Sequence, residues 1–218
     1  MKLLQINTTV NTGSTGRIAE DIGITMLEAG HESFIATAKT DRPSRSVLLP
    51  IGSTADRNLH GLKTRLFDLH GFGSKAATRK FVAQLEKINP DIVHLHNIHG
   101  YYLNVEILFN SLKKLQKPVV WTLHDCWPFT GHCSYFDAVN CFKWKTECNH
   151  CPNIKGYPAS WGFDNSKNNF YRKKGLFTSI NHLTIVTPSR WLCNHASMNL
   201  SERLSGTGNT QWDQFKGV

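Results

Sequence analysis

Apolar and polar positions change period several times along the chain. Lys2-Leu3-Leu4-Gln5-Ile6 is a short, mostly apolar run ending at Asn7, and it predicts a first strand. After the glycine-containing turn 11–17, Ile18, Ile22 and Met26 recur at helical spacing, with Ala19 and Ala29 beside them. Gly30 stands where a glycine ends a helix. Ser33-Phe34-Ile35-Ala36-Thr37 then reads as a second strand. Between 40 and 78 apolar content falls, which predicts long loops with one short helix. Lys80 to Asn89 returns to helix, with Phe81, Leu85 and Ile88 on one face and Pro90 as its stop. The run 91–97 predicts a strand, 104–115 a helix with Leu108, Leu112 and Leu115 on one stripe, and 118–123 a strand. Residues 126–168 read as an insertion rich in Cys, Trp, Lys and Asn. A helix over 170–180 and a short strand over 183–186 follow.

Strands alternating with helices predict an α/β fold with a Rossmann-like, mostly parallel sheet. Ligands bind such sheets at the carboxyl ends of the strands. That rule selects Asn7 to Arg17, His96 to Tyr102, His124 to Trp127, and Thr187 to Trp191. The predicted domain covers 1–195, with the insertion inside it, and 196–218 reads as an irregular tail.

The 218 residues carry 25 Lys and Arg against 16 Asp and Glu, a net charge of +9. The first 110 residues are nearly balanced, so the excess lies in the second half. It peaks around Lys143, Lys145, Lys155, Lys167, Arg172, Lys173 and Lys174, which reads as a solvated basic face. A hydrophobic fraction of 40% excludes disorder as the main state. No apolar run approaches the ~20 residues of a membrane span. The N-terminus has no apolar signal core, so a cytoplasmic location is expected. Thiols stay reduced there, and clustered cysteines read first as metal ligands.

Three groups carry candidate chemistry. In Gly13-Ser14-Thr15-Gly16-Arg17, glycines admit close backbone approach, and a helix N-terminus behind them suits phosphate. Ser14 or Thr15 can cap that helix. The Gly-x-x-Gly spacing is neither a dinucleotide nor a Walker fingerprint, and a capped turn explains it equally well. His94, His96 and His99, with His124-Asp125, form the second group. His94 reads as a core histidine, whereas His96 and His124 stand at strand ends. Cys133, Cys141, Cys148 and Cys151 form the third. The last two are Cys-x-x-Cys, and four thiolates suit a structural Zn²⁺. His132 and His150 are possible substitute ligands.

These residues together resemble the N-terminal half of family-4 retaining glycosyltransferases of the GT-B fold, of the capsule, colanic-acid and exopolysaccharide type. The resemblance covers about residues 1–193. It rests on Asn11 to Ala19, Asp91 to Asn97, Tyr101-Tyr102-Leu103-Asn104, and above all Thr122 to Cys133. The stretch ending Cys148-Asn149-His150-Cys151-Pro152, and Thr187-Pro188-Ser189-Arg190-Trp191-Leu192, continue it.

The resemblance implies transfer of a sugar from a nucleotide-diphosphate sugar to a lipid-linked or growing polysaccharide, with retention. It implies that this domain holds the acceptor while its first loop faces the donor diphosphate. Gly13, Ser14, Gly16 and Arg17 match that loop. Thr122-Leu123-His124 assigns the catalytic histidine beside the donor sugar to His124. His96, Asn97, Asp125, Ser189 and Arg190 are the further substrate-binding candidates. No catalytic metal is expected, and contact with the cytoplasmic face of the inner membrane is compatible with the basic half. The family's second Rossmann-like domain has no counterpart in the sequence. Glu20 and Glu28 share the spacing of its paired glutamates and read as a surface coincidence. The chain is therefore expected to be truncated and inactive alone. The competing reading is a zinc-stapled basic module binding nucleic acid or an anionic surface, with Trp144, Trp161 and Tyr171 as stacking rings. A GT-B nucleotide-sugar epimerase is a third.

Overall fold

The computed structural model describes residues 1–40 and 42–201. Its strands are β1 (Lys2–Asn7), β2 (Glu32–Thr37), β3 (Val47–Pro50), β4 (Ile92–Leu95), β5 (Val119–Thr122) and β6 (Leu183–Val186). Its helices are α1 (Gly13–Glu28), α2 (Thr54–Phe67), α3 (Lys75–Ile88), α4 (Val105–Leu115), α5 (Ser166–Phe177) and α6 (Arg190–Ala196). The strands make one sheet in the order β3-β2-β1-β4-β5-β6, and every pairing is parallel. β1 pairs with β2 on one side and β4 on the other, so the winding reverses between β1 and β4. The crevice outside their carboxyl ends is where such sheets take ligands.

A parallel sheet is covered on both faces, so its strands read as apolar runs. Leu4, Ile6, Val93, Leu95, Val119 and Trp121 are all buried. Leu108 and Leu112 of α4 are buried as their spacing predicts, and Asn104 caps the helix by accepting from the Ile107 N–H at 3.0 Å. Trp121 packs edge-on against Phe177 of α5 at 4.8 Å between ring centres.

Three sequence expectations change. In α1 the buried residues are Gly16, Ala19, Glu20 and Gly23, while Ile18 is exposed. Small residues let this helix lie close to the sheet: a Cβ on Gly23 would fall 2.4 Å from Ser46 Oγ. The span 40–78 holds β3, the 14-residue α2 and the start of α3 in place of long loops. α2 escapes the pattern because Leu59, Leu62, Leu66 and Phe67 all face solvent. Its start is marked by Ser53 and Asp56, which form a reciprocal capping box. Glu20 is buried, accepting from Ser44 Oγ at 2.5 Å and the Arg45 N–H at 2.8 Å. The Glu20–Glu28 spacing is thus half inside the fold, not a surface pair.

The insertion is irregular, with short 3-10 turns only, and is held by buried rings and one buried acid. Phe136 and Trp144 pack at 4.8 Å. Asp68, at the end of α2, binds His132 Nδ1 at 2.6 Å and accepts from the Asn165 N–H at 3.0 Å through its carboxylate, and its backbone carbonyl accepts from Asn169 Nδ2 at 2.6 Å. Ser197–Ser201 continues α6 as a π-helical turn. The remainder of the expected tail, 202–218, lies outside the described residues.

Candidate functional site

The carboxyl ends of β1 and β4 are tied by side chains rather than by more strand. Asn7 Oδ1 accepts from the Asn97 N–H at 3.3 Å, and Asn7 Nδ2 donates to Thr9 O at 2.9 Å and to Thr15 Oγ1 at 3.4 Å. The Thr8 hydroxyl lies 3.0 Å from Asn97 O and 2.8 Å from His99 O. These contacts bring the glycine loop against the segment that follows β4. Gly16 is required there, because a Cβ would lie 2.9 Å from Thr9 Oγ1 and 3.3 Å from the Asn11 nitrogen.

A column of imidazoles crosses from β4 to β5. His94 and His96 share a strand face and lie 4.1 Å apart between ring centres. His94 Nε2 pairs with Thr122 Oγ1 at 2.8 Å. His96 Nδ1 lies 3.3 Å from His124 Nε2, and His96 Nε2 lies 3.1 Å from Gln5 Oε1. Burial pushes His94 down to about 4 and His96 to about 2. It also lowers His124, against the pull of Asp125. The column is therefore neutral at pH 7, and it offers directional hydrogen bonds rather than charge.

Next to it, His99 Nε2 meets Asp125 Oδ2 at 2.8 Å, and Asp125 Oδ1 accepts from the Trp127 N–H at 2.9 Å. Burial alone would raise Asp125, but His99 and the Trp127 N–H hold it below the usual range. His70, Trp127, Tyr101 and Tyr157 close around this pair. His70 stands 5.3 Å from His99, 4.9 Å from Tyr101 and 5.6 Å from Tyr157 between ring centres. Lys173 lies beneath Trp127, donating to its carbonyl at 2.6 Å with the ammonium 4.1 Å from the ring centre. It is fully buried, and burial lowers it to about 8, so it leaves the expected solvated basic face.

Gly13, Ser14, Gly16 and Arg17, His96, Asn97, His124 and Asp125 thus all belong to the carboxyl edge of β1, β4 and β5. α1 begins at Gly13, so Ser14 and Thr15 sit in its first turn. Its N-cap, Thr12, has no side-chain cap bond. Ser189 and Arg190 follow the edge strand β6, where Ser189 Oγ caps α6 by accepting from the Leu192 N–H at 3.2 Å. Gln5, His70, Tyr157 and Asp68 were not foreseen. Gln5, a lone amide inside an apolar strand run, was the one readable signal among them.

The cysteines converge less than expected. Cys133, Cys141, Cys148 and Cys151 line one cavity of about 10 Å³ in the insertion, and Cys148 Sγ accepts from the Gly131 N–H at 3.1 Å. Yet among the described residues no group of three or more His, Cys, Asp or Glu side chains is arranged to hold a metal ion. All six cysteines are free. Burial raises Cys148 to about 11, and a bond with Cys133, then burial, raises Cys151. His132 gives Nδ1 to Asp68, while its Nε2 is buried without a hydrogen-bond partner.

One face is unusually apolar. Leu59, Leu62 and Phe67 of α2 are exposed, as are Trp161 and Phe163 of the insertion. Phe67 stacks on Phe163 at 5.9 Å, and the Arg65 guanidinium covers Trp161 at 5.0 Å. A groove of about 480 Å³ beside it includes Lys63, Lys75 and Arg172. Among the described residues no helix is long and apolar enough to cross a membrane.

Residues 15–196 match the profile of Glycosyltransferase Family 4. WcaC of Escherichia coli (strain K12), which its name assigns to colanic acid biosynthesis as a glycosyl transferase, is 35% identical over 99 residues. Those residues are 43% of this chain and 24% of WcaC. A glycosyltransferase from Rickettsia africae ESF-5, solved as a crystal structure, aligns over 92% of this chain and 40% of its own, with a TM-score of 0.46 and 14% identity. The chain spans less than half the length of either.

Proposed function

The chain belongs to glycosyltransferase family 4, and from that premise we propose that it forms the acceptor-side wall of a retaining transfer site. The donor is a nucleotide-diphosphate sugar, and the acceptor a lipid-linked or growing polysaccharide of the exopolysaccharide type. The observation that carries this reading is that the Gly13–Arg17 loop, His96 and His124 follow the carboxyl ends of three adjacent strands, β1, β4 and β5. Departure of a nucleoside diphosphate develops negative charge. The free N–H groups at the start of α1, with Arg17 beside them, suit that charge. His124, neutral and half-buried, suits a sugar hydroxyl rather than an anion. Asn97, Asp125, Ser189 and Arg190 complete the proposed substrate wall from the same edge.

The 218-residue chain by itself is proposed to transfer no sugar, because one wall of a cleft does not enclose a donor. The test is release of nucleoside diphosphate from UDP-glucose and GDP-mannose in the presence of polyprenyl-diphosphate-linked glycan. No release is expected, and robust release would overturn the inactivity. The competing binding-module reading loses two of its supports, since Trp144 is buried and Lys173 is internal.

The exposed face of α2, with Trp161 and Phe163, is proposed to rest on the anionic cytoplasmic surface of the inner membrane, apolar rings in the interface and Lys63 and Arg65 against headgroups. Sedimentation with phosphatidylglycerol vesicles should retain the chain, and Leu62→Asp with Phe163→Asp should release it. Equal retention of both would reject this surface. Structural zinc at the four cysteines stands as a separate proposal, supported by their shared cavity and by the Gly131 N–H on Cys148. It requires the thiols to rotate toward one point. About one zinc per purified chain is expected, and near-zero metal with four titratable thiols ends it.

A further inference from the structure

We propose that Gln5 is a positioning residue: through His96 it fixes which nitrogen of His124 carries the proton, so that His124 keeps an unprotonated Nδ1 as a hydrogen-bond acceptor. The inference deepens the role proposed for His124 and rests on that role only for its consequence. Gln5 lies on β1 with its side chain fully buried. Its amide nitrogen donates to Ala19 O at 2.8 Å. A carbonyl can only accept, so the amide has one possible orientation, and Oε1 faces His96 Nε2 at 3.1 Å. An amide oxygen also only accepts, so His96 Nε2 carries a proton.

His96 is 2% exposed and burial keeps it neutral, so it carries one ring proton and its Nδ1 is a lone pair. That lone pair faces His124 Nε2 at 3.3 Å, which makes His124 Nε2 the donor. In its neutral form His124 is then left with an unprotonated Nδ1. The neighbours do not disturb this order. His94 is committed to Thr122, and both Asp125 oxygens are committed to His99 and the Trp127 N–H. A free Nδ1 lone pair pairs with a hydroxyl and repels a phosphate oxygen. Gln5, which faces the core, thereby makes His124 a reader of a sugar hydroxyl rather than of the diphosphate.

The test is ¹⁵N NMR of the imidazoles in the full chain at pH 7, where protonated and unprotonated ring nitrogens are well separated. Both His96 and His124 should carry the proton on Nε2, with a scalar coupling across the His124 Nε2–H to His96 Nδ1 bond. Gln5→Met, close in volume but with neither donor nor acceptor, should lose that coupling and show mixed tautomers at both rings. A proton on Nδ1 of either ring in the unsubstituted chain overturns the proposal, and so does Gln5→Met with both rings unchanged. If Gln5→Met does not fold, the unsubstituted chain decides alone. A His124 that shows the expected tautomer, yet does not respond to a nucleotide-diphosphate sugar, would remove its proposed function and leave the role of Gln5 standing.

Discussion

Lowering the pH from 7 to 5.5 should cost this fold much of its stability, because several imidazoles are stored neutral inside it. His60, His94 and His96 are pushed by burial to about 4, about 4 and about 2, and His70, fully enclosed, is lowered as well. In the unfolded chain each returns to ~6.5. Between 6.5 and about 4 the unfolded state therefore binds more protons than the folded one, and stability falls as pH falls. Each of the first three contributes a loss of ~1.2 kcal/mol between pH 7 and 5.5, so together they lose at most ~3.6 kcal/mol, and His70 acts in the same direction. A domain of this size has roughly 5–15 kcal/mol in total. Urea unfolding followed by tryptophan fluorescence at pH 7.5, 6.5 and 5.5 measures the slope directly. His94→Gln, which keeps a partner for Thr122 but does not titrate, should lower the loss over this interval by about 1.2 kcal/mol. A flat pH dependence with unchanged m-value, or a His94→Gln profile parallel to the parent, would refute the reasoning.

Two further substitutions probe what holds the site. Gly71 has φ +82°, and a Cβ there would fall 2.7 Å from the Trp127 ring. Gly71→Ala should therefore cost about 3 kcal/mol, with a shifted Trp127 emission marking the displaced ring. Asp68→Ala strips the carboxylate from His132 Nδ1 and the Asn165 N–H and leaves the backbone bond to Asn169 in place. It should cost about 3–5 kcal/mol and expose the insertion to limited proteolysis before the sheet.

The sheet was legible because parallel strands buried on both faces leave unbroken apolar runs. Each predicted run around β1, β2, β4, β5 and β6 became a strand. α4 was legible because its leucines face the core. α2 was not, because its apolar residues face outward and only Ser53 and Asp56 announce it. α1 misled for the opposite reason: its inward face is made by Gly16, Ala19 and Gly23, which an apolar stripe ignores. For the site, the rule that ligands gather at strand ends chose His96, Asn97, His124 and Asp125, and the fold brings them to one edge. Lys173 shows the limit of reading charge as surface. Its neighbours in sequence are exposed or half-buried, and only the packing of α5 under Trp127 takes it inside. The cysteine spacing was plain to see, but spacing alone does not aim four sulfurs at one point.

The carboxyl edge of β1, β4 and β5 is the proposed substrate wall. Its most direct test is a backbone and imidazole NMR titration of the chain with UDP-glucose and GDP-mannose at millimolar concentration. Shifts confined to Gly13–Arg17, His96–Asn97 and His124–Asp125, for at least one donor, are the predicted result. No shift with either donor, or shifts confined to the cysteine cavity or the α2 groove, would contradict it.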